Sequence, residues 1–208
     1  MILLDYSQIA LSNIIVQKLN DENMIRHMIL NSIRMYNKKY RNEYGQMVIC
    51  ADGMNTWRKE YFPLYKAHRK KNRAESDQDW PEIFRILNLV RDEIRENLPY
   101  KVIHLEGCEA DDIIGTLAMQ TQEFGQHEPV MIVSSDKDFI QLHKYNNVKQ
   151  YSPIQKKMVS DPNPRTYCFE HICKGDKGDG IPNILSPDNA IIDELSLIHI
   201  SEPTRLRR

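Results

Sequence analysis

A chain of 208 residues with 41% hydrophobic and 27% charged content describes a soluble globule with room for one substantial core and the beginning of a second. The longest apolar run, Met47–Ala51, is too short to span a bilayer, and the first apolar stretch contains Asp5 and no basic leader, against a signal peptide. The formal net charge of −1 conceals a sorting by sign: residues 57–73 carry seven Lys/Arg against a single Glu, whereas Glu109, Asp111, Asp112, Asp136 and Asp138 have only Lys137 among them. A basic strip and an acidic pocket on one molecule suit a polyanion held by the first and acted on at cations held by the second.

In chain order, Met1–Leu4 is a short apolar run ending in Asp5, expected as a buried parallel strand. Helical spacing follows over Ile9–Leu19. Asp21 is placed to cap a second helix that carries Met24, Met28, Ile29, Ile33 and Tyr36 inward until Gly45. Met47–Ala51 is the second strand and again ends in an aspartate, Asp52, followed by Gly53. Within the basic strip, Trp57, Tyr61, Phe62 and Tyr65 alternate with Arg58, Lys59, Lys66, Arg69, Lys70, Lys71 and Arg73, a composition that suits stacking on bases and contact with phosphates. Asp79 and Pro81 open a helix whose stripe is Ile83, Ile86, Leu87, Val90 and Ile94.

Val102–Leu105 is the third strand, Glu109–Phe124 a helix closed by Gly125, and Val130–Val133 the fourth strand, leading to a short helix through His143. Asn147–Tyr151 makes a fifth strand with Met158–Val159 as its ribbon partner, and a helix over Pro164–Cys173 leads into the turn-rich Gly175–Gly180. Alternation of strands and helices predicts an α/β fold, a mostly parallel sheet with helices on both faces. Four cysteines, Cys50, Cys108, Cys168 and Cys173, without a Cys-x-x-Cys pair fit reduced thiols, and Cys168, His171 and Cys173 have no fourth zinc ligand at a usual spacing.

In an open parallel sheet the ligand site lies beyond the carboxyl ends of the strands. Asp5, Asp52 and Asp136 each occur at such an end, and Glu109, Asp111 and Asp112 open the helix after the third strand, so one sheet edge is expected to gather them all. Asp136 and Asp138 would face one side if the chain between them is extended. Carboxylates this close repel one another unless a cation neutralises them, and oxygen-only ligands favour Mg²⁺ or Mn²⁺ over zinc, with acids enough for two ions.

Three stretches carry a family resemblance: Ile2-Leu3-Leu4-Asp5-Tyr6-Ser7-Gln8, Glu109-Ala110-Asp111-Asp112 with Ser134-Ser135-Asp136-Lys137-Asp138-Phe139, and Gly175-Asp176-Lys177-Gly178-Asp179. On these the chain resembles the 5′ nuclease superfamily, which includes flap endonucleases and the 5′ exonuclease domain of bacterial repair polymerases, and within it the phage ribonuclease H branch. The resemblance implies a PIN/5′ nuclease-like core over 1–160 with a basic arch at 57–79, and the start of a helical DNA-binding subdomain over 161–189. It implies one metal held by Asp5, Asp52, Glu109, Asp111 and Asp136, and a second approached by Asp138 and Asp179 with Asp112 and Asp176 outside them. Catalytic roles fall on the first set together with Lys66; Tyr65, Lys66, Arg69, Lys70, Lys71, Arg73 and Lys177 would contact nucleic acid.

The implied reaction is Mg²⁺-dependent hydrolysis of phosphodiesters near the 5′ end of a strand in DNA or an RNA–DNA hybrid, as in removing RNA primers from lagging-strand fragments. The implied setting is a monomer in the cytoplasm of a phage-infected bacterium, recruited by a replication single-strand-binding protein or a sliding clamp and independent of membranes. The family continues past the Asp179 loop into a helical domain; here Leu195–Arg205 resembles a translated sequencing adapter, so 190–208 is expected to be a non-native tail on a truncated chain. An aspartyl-phosphate phosphatase would place Asp-x-Asp directly after the first strand, where this chain has Asp5-Tyr6-Ser7. A toxin-type ribonuclease would not need the basic insertion, and the non-enzyme alternative is an inactive nucleic-acid-binding fragment.

Overall fold

The computed structural model describes residues 1–17, 21–123 and 127–193. The described chain forms two units, one of Met1–Trp57 with Asp79–Arg165, the other of Arg58–Gln78 with the residues from Thr166 onward.

The first unit is built on a six-stranded sheet of order β3-β2-β1-β4-β5-β6, from β1 (Ile2–Asp5), β2 (Met47–Ala51), β3 (Lys101–His104), β4 (Val130–Val133), β5 (Val148–Ser152) and β6 (Lys157–Val159). All neighbours are parallel except β5 and β6, the ribbon expected from sequence. Strand alternation divides the core in two. Ile2, Leu4, Met47, Ile49, Ala51, Met131 and Val133 pack under α1 (Tyr6–Gln17), α2 (Glu22–Tyr44) and α5 (Trp80–Asn97). Leu3, Cys50, Val130, Ile132 and Val148 face α6 (Ala110–Gln120) and the 3-10 helix Asp138–Lys144. Helices therefore cover both faces, and the buried strands are apolar at nearly every position because neither face meets water.

Local chemistry sets the helix ends. Asp21 accepts from the amide of Met24, and Gly45, at φ +78°, closes α2 with its amide on the Arg41 carbonyl. Asp79 caps α5 through the Glu82 amide. α1 starts at Tyr6 rather than Ile9, since Asp5 Oδ1 accepts from the Gln8 amide at 3.2 Å and caps the first turn directly after β1; its expected end at Leu19 lies outside the described residues. So do Phe124 and Gly125 at the expected end of the helix that is observed as Ala110–Gln120.

The second unit holds α3 (Arg58–Tyr61), α4 (His68–Ala74), all but the first two residues of α7 (Pro164–Lys174), and the Gly175–Gly180 loop. The basic strip thus groups with the segment after residue 165 rather than with the sheet. No helix among the described residues is long and apolar enough to cross a membrane. The stretch Leu195–Arg205 lies outside the described residues.

Candidate active site

The strand order reverses direction between β1 and β4, because the chain moves outward on one side through β2 and β3 and on the other through β4, β5 and β6. Such a switch point opens a crevice at the carboxyl edge, and Asp5 stands beside it. Leu4 is level with Val133, so Asp5 comes level with Ser134, whose hydroxyl donates to Asp5 Oδ2 at 2.9 Å. On the other side Asp5 pairs with Cys50, and Asp52 follows two residues later. Asp52 Oδ1 accepts from the Ala110 amide at 2.7 Å, which ties the end of β2 to the N-terminus of α6. That approach depends on Gly53: a Cβ there would meet the Leu105 carbonyl oxygen at 1.9 Å, and the Gly53 amide donates to Cys108 O at 2.7 Å.

At the start of α6, Glu109 and Asp112 form a reciprocal capping box, with the Glu109 side chain on the Asp112 amide and Asp112 Oδ2 on the Glu109 amide at 2.9 Å. The Trp57 indole donates to the same Asp112 oxygen at 3.2 Å. Trp57, grouped from sequence with the aromatics of the basic strip, thus also partners the acidic cluster. Asp111, partly buried, stands in the first turn of α6. After β4, the Asp136 amide donates to Ser134 Oγ at 3.1 Å and Asp136 Oδ1 accepts from the Asp138 amide at 2.9 Å. Asp138 opens the 3-10 helix and Lys137 is α-helical in φ and ψ, so the chain between the two aspartates is bent and the condition for both to face one side is not met. The bend is the cost of an aspartate that caps its own turn.

Electrostatics separate Asp5 from the rest. It is 8% exposed, and desolvation, then the negative charge of Asp52 and, less, of Asp136, push its carboxyl up to about 7 despite the bonds from Gln8 and Ser134. Burial and the neighbouring Asp5 charge likewise push the Cys50 thiol far up, leaving it inert. A buried carboxyl beside two more carboxylates is a place where a hard divalent cation would relieve repulsion that the protein otherwise relieves by taking up a proton.

In the second unit the basic strip and the Gly175–Gly180 loop meet through Asp179. Asp179 Oδ1 pairs with Arg69 at 2.7 Å, and Oδ2 accepts from the Tyr65 hydroxyl at 2.9 Å and lies 3.7 Å from Lys66 Nζ. The Lys66 amide donates to Asp179 O, and the Arg69 guanidinium also grips Gly178 O. Gly180, at φ +76°, leaves space that a Cβ would take 2.9 Å from His68 Nδ1. Asp176 Oδ1 accepts from the amides of Gly178 and Asp179, and its Oδ2 lies 3.4 Å from His171 Nε2. Tyr65 is buried and cannot present its ring to a base, whereas Tyr61 is 82% exposed. Lys70, Lys71 and Arg73 on α4 and Lys177 on the loop are exposed, as a phosphate-facing strip requires.

Sequence reasoning thus assembled the acids of the first unit, but missed the groups that hold them: Gln8, Ser134, Gly53 and the Trp57 indole. Only Gly53 had a legible signal, as a glycine directly after a strand-terminal aspartate.

Known proteins resemble this chain in sequence and in fold. The family described as 5'-3' exonuclease, N-terminal resolvase-like domain, matches residues 5–168. The ribonuclease H of Enterobacteria phage T4 is 40% identical over 191 residues, 88% of this chain and 62% of that protein, so the chain spans under two thirds of this relative's length. A 5'-3' exonuclease of Buchnera aphidicola (strain APS) is 30% identical over 155 residues, 71% of this chain and 50% of its own. Among solved structures, the phage T5 5'-exonuclease with bound divalent zinc superposes with a TM-score of 0.68 at 18% identity, covering 93% of this chain and 74% of that one. A T5 flap endonuclease in a pseudo-enzyme–product complex with DNA and metal ions gives 0.69 at 17% identity, covering 92% and 72%. The matched span runs from Asp5 at the end of β1 through β6 and includes the acids from Asp5 to Asp138, and this chain therefore belongs to the 5'-3' exonuclease family with the N-terminal resolvase-like domain.

Proposed function

We propose that this chain is a divalent-metal-dependent phosphodiesterase that hydrolyses near the 5′ end of a strand in DNA or RNA–DNA duplexes, by exonucleolytic or flap cutting, and so removes RNA primers during lagging-strand synthesis. The observation that carries this reading is Asp5: a buried carboxyl at the switch point of a parallel sheet, destabilised as an anion by Asp52 and Asp136. Carboxylate oxygens as donors suit Mg²⁺ or Mn²⁺. Asp5, Asp52, Glu109, Asp111 and Asp136 would hold one ion and Asp138 would approach a second. Asp112 spends one oxygen on the Glu109 amide and the Trp57 indole, which suits the outer role given to it. Asp179 has both oxygens engaged by Lys66, Arg69 and Tyr65, so it serves an ion only by exchanging those partners, and Asp176 spends Oδ1 on its own loop.

When bound, divalent ions supply charge for the scissile phosphate and acidify the attacking water. The chain's own part is to hold the carboxylates: Ser134 and the Gln8 amide fix both oxygens of Asp5, and the Ala110 amide fixes Asp52. Lys66 and Arg69 supply donors for a backbone phosphate, with Lys70, Lys71, Arg73 and Lys177 extending the basic track. The same reading places the protein in the cytoplasm of a phage-infected bacterium, as a monomer recruited by a single-strand-binding protein or sliding clamp.

The test is a 5′-labelled RNA–DNA hybrid and a DNA flap incubated with Mg²⁺, with EDTA, and with the Asp136→Asn variant. Cleavage is expected only in the first case. Persistent cleavage in EDTA overturns the metal mechanism, and binding indifferent to both Mg²⁺ and Asp111→Asn identifies a nucleic-acid-binding fragment without activity.

A further inference from the structure

Asp136 follows β4 on a loop with no regular structure until Asp138, yet the loop is fixed from the neighbouring strand by one side chain. Gln150, on β5, is fully buried, level with Ile132, on the sheet face that packs against the 3-10 helix. Its Nε2 lies 2.9 Å from the Ser134 carbonyl oxygen and 2.6 Å from the Asp136 carbonyl oxygen. Carbonyls only accept, so the amide group must turn its NH₂ toward the loop and both of its protons are used there. Oε1 then faces His143 Nε2 at 3.0 Å. Because Oε1 only accepts, His143 must carry its proton on Nε2; burial holds the ring neutral by pushing its pKa down, and the orientation of the whole chain of bonds is determined.

We propose that Gln150 is a positioning residue: it clamps the carbonyls on either side of Ser135 so that Ser134 Oγ meets Asp5 and the Asp136 carboxylate is presented at the crevice, with His143 orienting the clamp. The assignment rests on the reading of Asp136 as a metal-binding carboxylate. Burying a glutamine inside a sheet is unfavourable unless every polar atom is satisfied. Here each is satisfied, two of the three bonds going to the backbone of the loop that carries the acid. Ser135 is held in parallel from other elements, its amide donating to Gln8 Oε1 and its Oγ accepting from the Ser152 hydroxyl at 2.8 Å, so removing Gln150 loosens the flanks of the loop without releasing its middle.

The experiment compares Gln150→Met, which keeps volume and loses both donors, and Gln150→Glu, which keeps the shape and sets oxygen lone pairs against the two carbonyls. The readouts are Mn²⁺ affinity by electron paramagnetic resonance, kcat and KM on a labelled flap, and the melting temperature in EDTA. Partners one shell out from a metal ligand typically change affinity 10–100-fold, so Gln150→Met is expected to weaken Mn²⁺ binding about 10-fold and to lower kcat with KM unchanged. Gln150→Glu should lose more in both, and His143→Phe less. Mn²⁺ affinity and kcat within two-fold of the parent in folded Gln150→Met overturn the proposal, whatever happens to the melting temperature. If both glutamine variants fail to fold, His143→Phe decides by the same two readouts. Asp136→Asn runs beside them: if it leaves Mn²⁺ binding intact, the reading of Asp136 has failed; if it abolishes binding while the glutamine and histidine variants do not, the clamp alone has failed.

Discussion

Replacing Asp5 by asparagine should stabilise the metal-free protein at pH 8. In the folded chain the Asp5 carboxyl titrates at about 7, against 3.8 for the unperturbed group, a difference of about three pKa units. Each unit corresponds to ~1.4 kcal/mol of preference for the protonated form in the folded state. The folded pKa is raised, so the stability this proton contributes is fully present below pH ~4 and is lost as pH rises through ~7, a total of about 4 kcal/mol. Asparagine cannot ionise and keeps the shape, but it turns an NH₂ toward the Ser134 hydroxyl or the Gln8 amide, costing about 1 kcal/mol. The net gain at pH 8 in EDTA is then about 3 kcal/mol, or roughly 6–12 °C for a chain of this size. At pH 5 only about 1.6 kcal/mol of that contribution has been lost, and the gain shrinks to under about 1 kcal/mol. Saturating Mg²⁺ at pH 8 should raise the melting temperature of the parent chain and leave Asp5→Asn nearly unmoved. Differential scanning calorimetry of both chains at pH 5 and 8, with EDTA and with Mg²⁺, supplies the four comparisons. A variant no more stable than its parent at pH 8 in EDTA would show that Asp5 ionises at no cost, and that burial and neighbouring charge do not create the demand for a cation.

Asp179→Asn should release Lys66 and Arg69 toward phosphate: in EDTA, filter binding of a single-stranded oligonucleotide is expected to tighten, with the log–log salt slope steeper by about 0.7–1.4 for one or two added contacts. Gly53→Ala forces a Cβ against the Leu105 carbonyl and should lower stability by roughly 2–3 kcal/mol in urea titration, reducing cleavage as Asp52 is drawn from the Ala110 amide. Gly180→Ala, at positive φ and against His68, should cost about 1–2 kcal/mol by the same titration and weaken oligonucleotide binding with little effect on Mn²⁺ affinity.

The fold was legible because strand and helix signals in this chain agree with their surroundings. Runs such as Val130–Val133 are apolar on both faces, the helix over Ile83–Ile94 has a single stripe, and Asp21, Asp79 and Gly45 cap as their types require. The acids of the first unit were legible for a simpler reason: each follows a strand or opens a helix, and parallel topology sends all such positions to one edge. What the sequence could not supply is partnership. Nothing in Tyr65-Lys66-Ala67-His68-Arg69 says that its cations and its tyrosine converge on Asp179, more than a hundred residues away, and a basic run reads the same whether it is open or closed by an acid. Gln150 was equally silent, since a glutamine between Lys149 and Tyr151 reads as an ordinary solvent-facing residue until the register fixes it on the covered face.

The choice between acids as helix and turn caps and acids as metal ligands turns out to be no choice. Asp52 Oδ1, Asp112 Oδ2, Glu109 and Asp136 Oδ1 all hold backbone amides, which is the ordinary work of a cap. Those bonds fix where the carboxylates stand without neutralising their charge, so the amides that organise the edge also concentrate repulsion there. Asp5 feels that repulsion in a buried setting: desolvation first, then the charges of Asp52 and Asp136, disfavour its anion. A scaffold that caps its helices with acids at a single sheet edge gathers negative charge there, and the stability gained by Asp5→Asn at high pH says how much a cation at that edge would relieve.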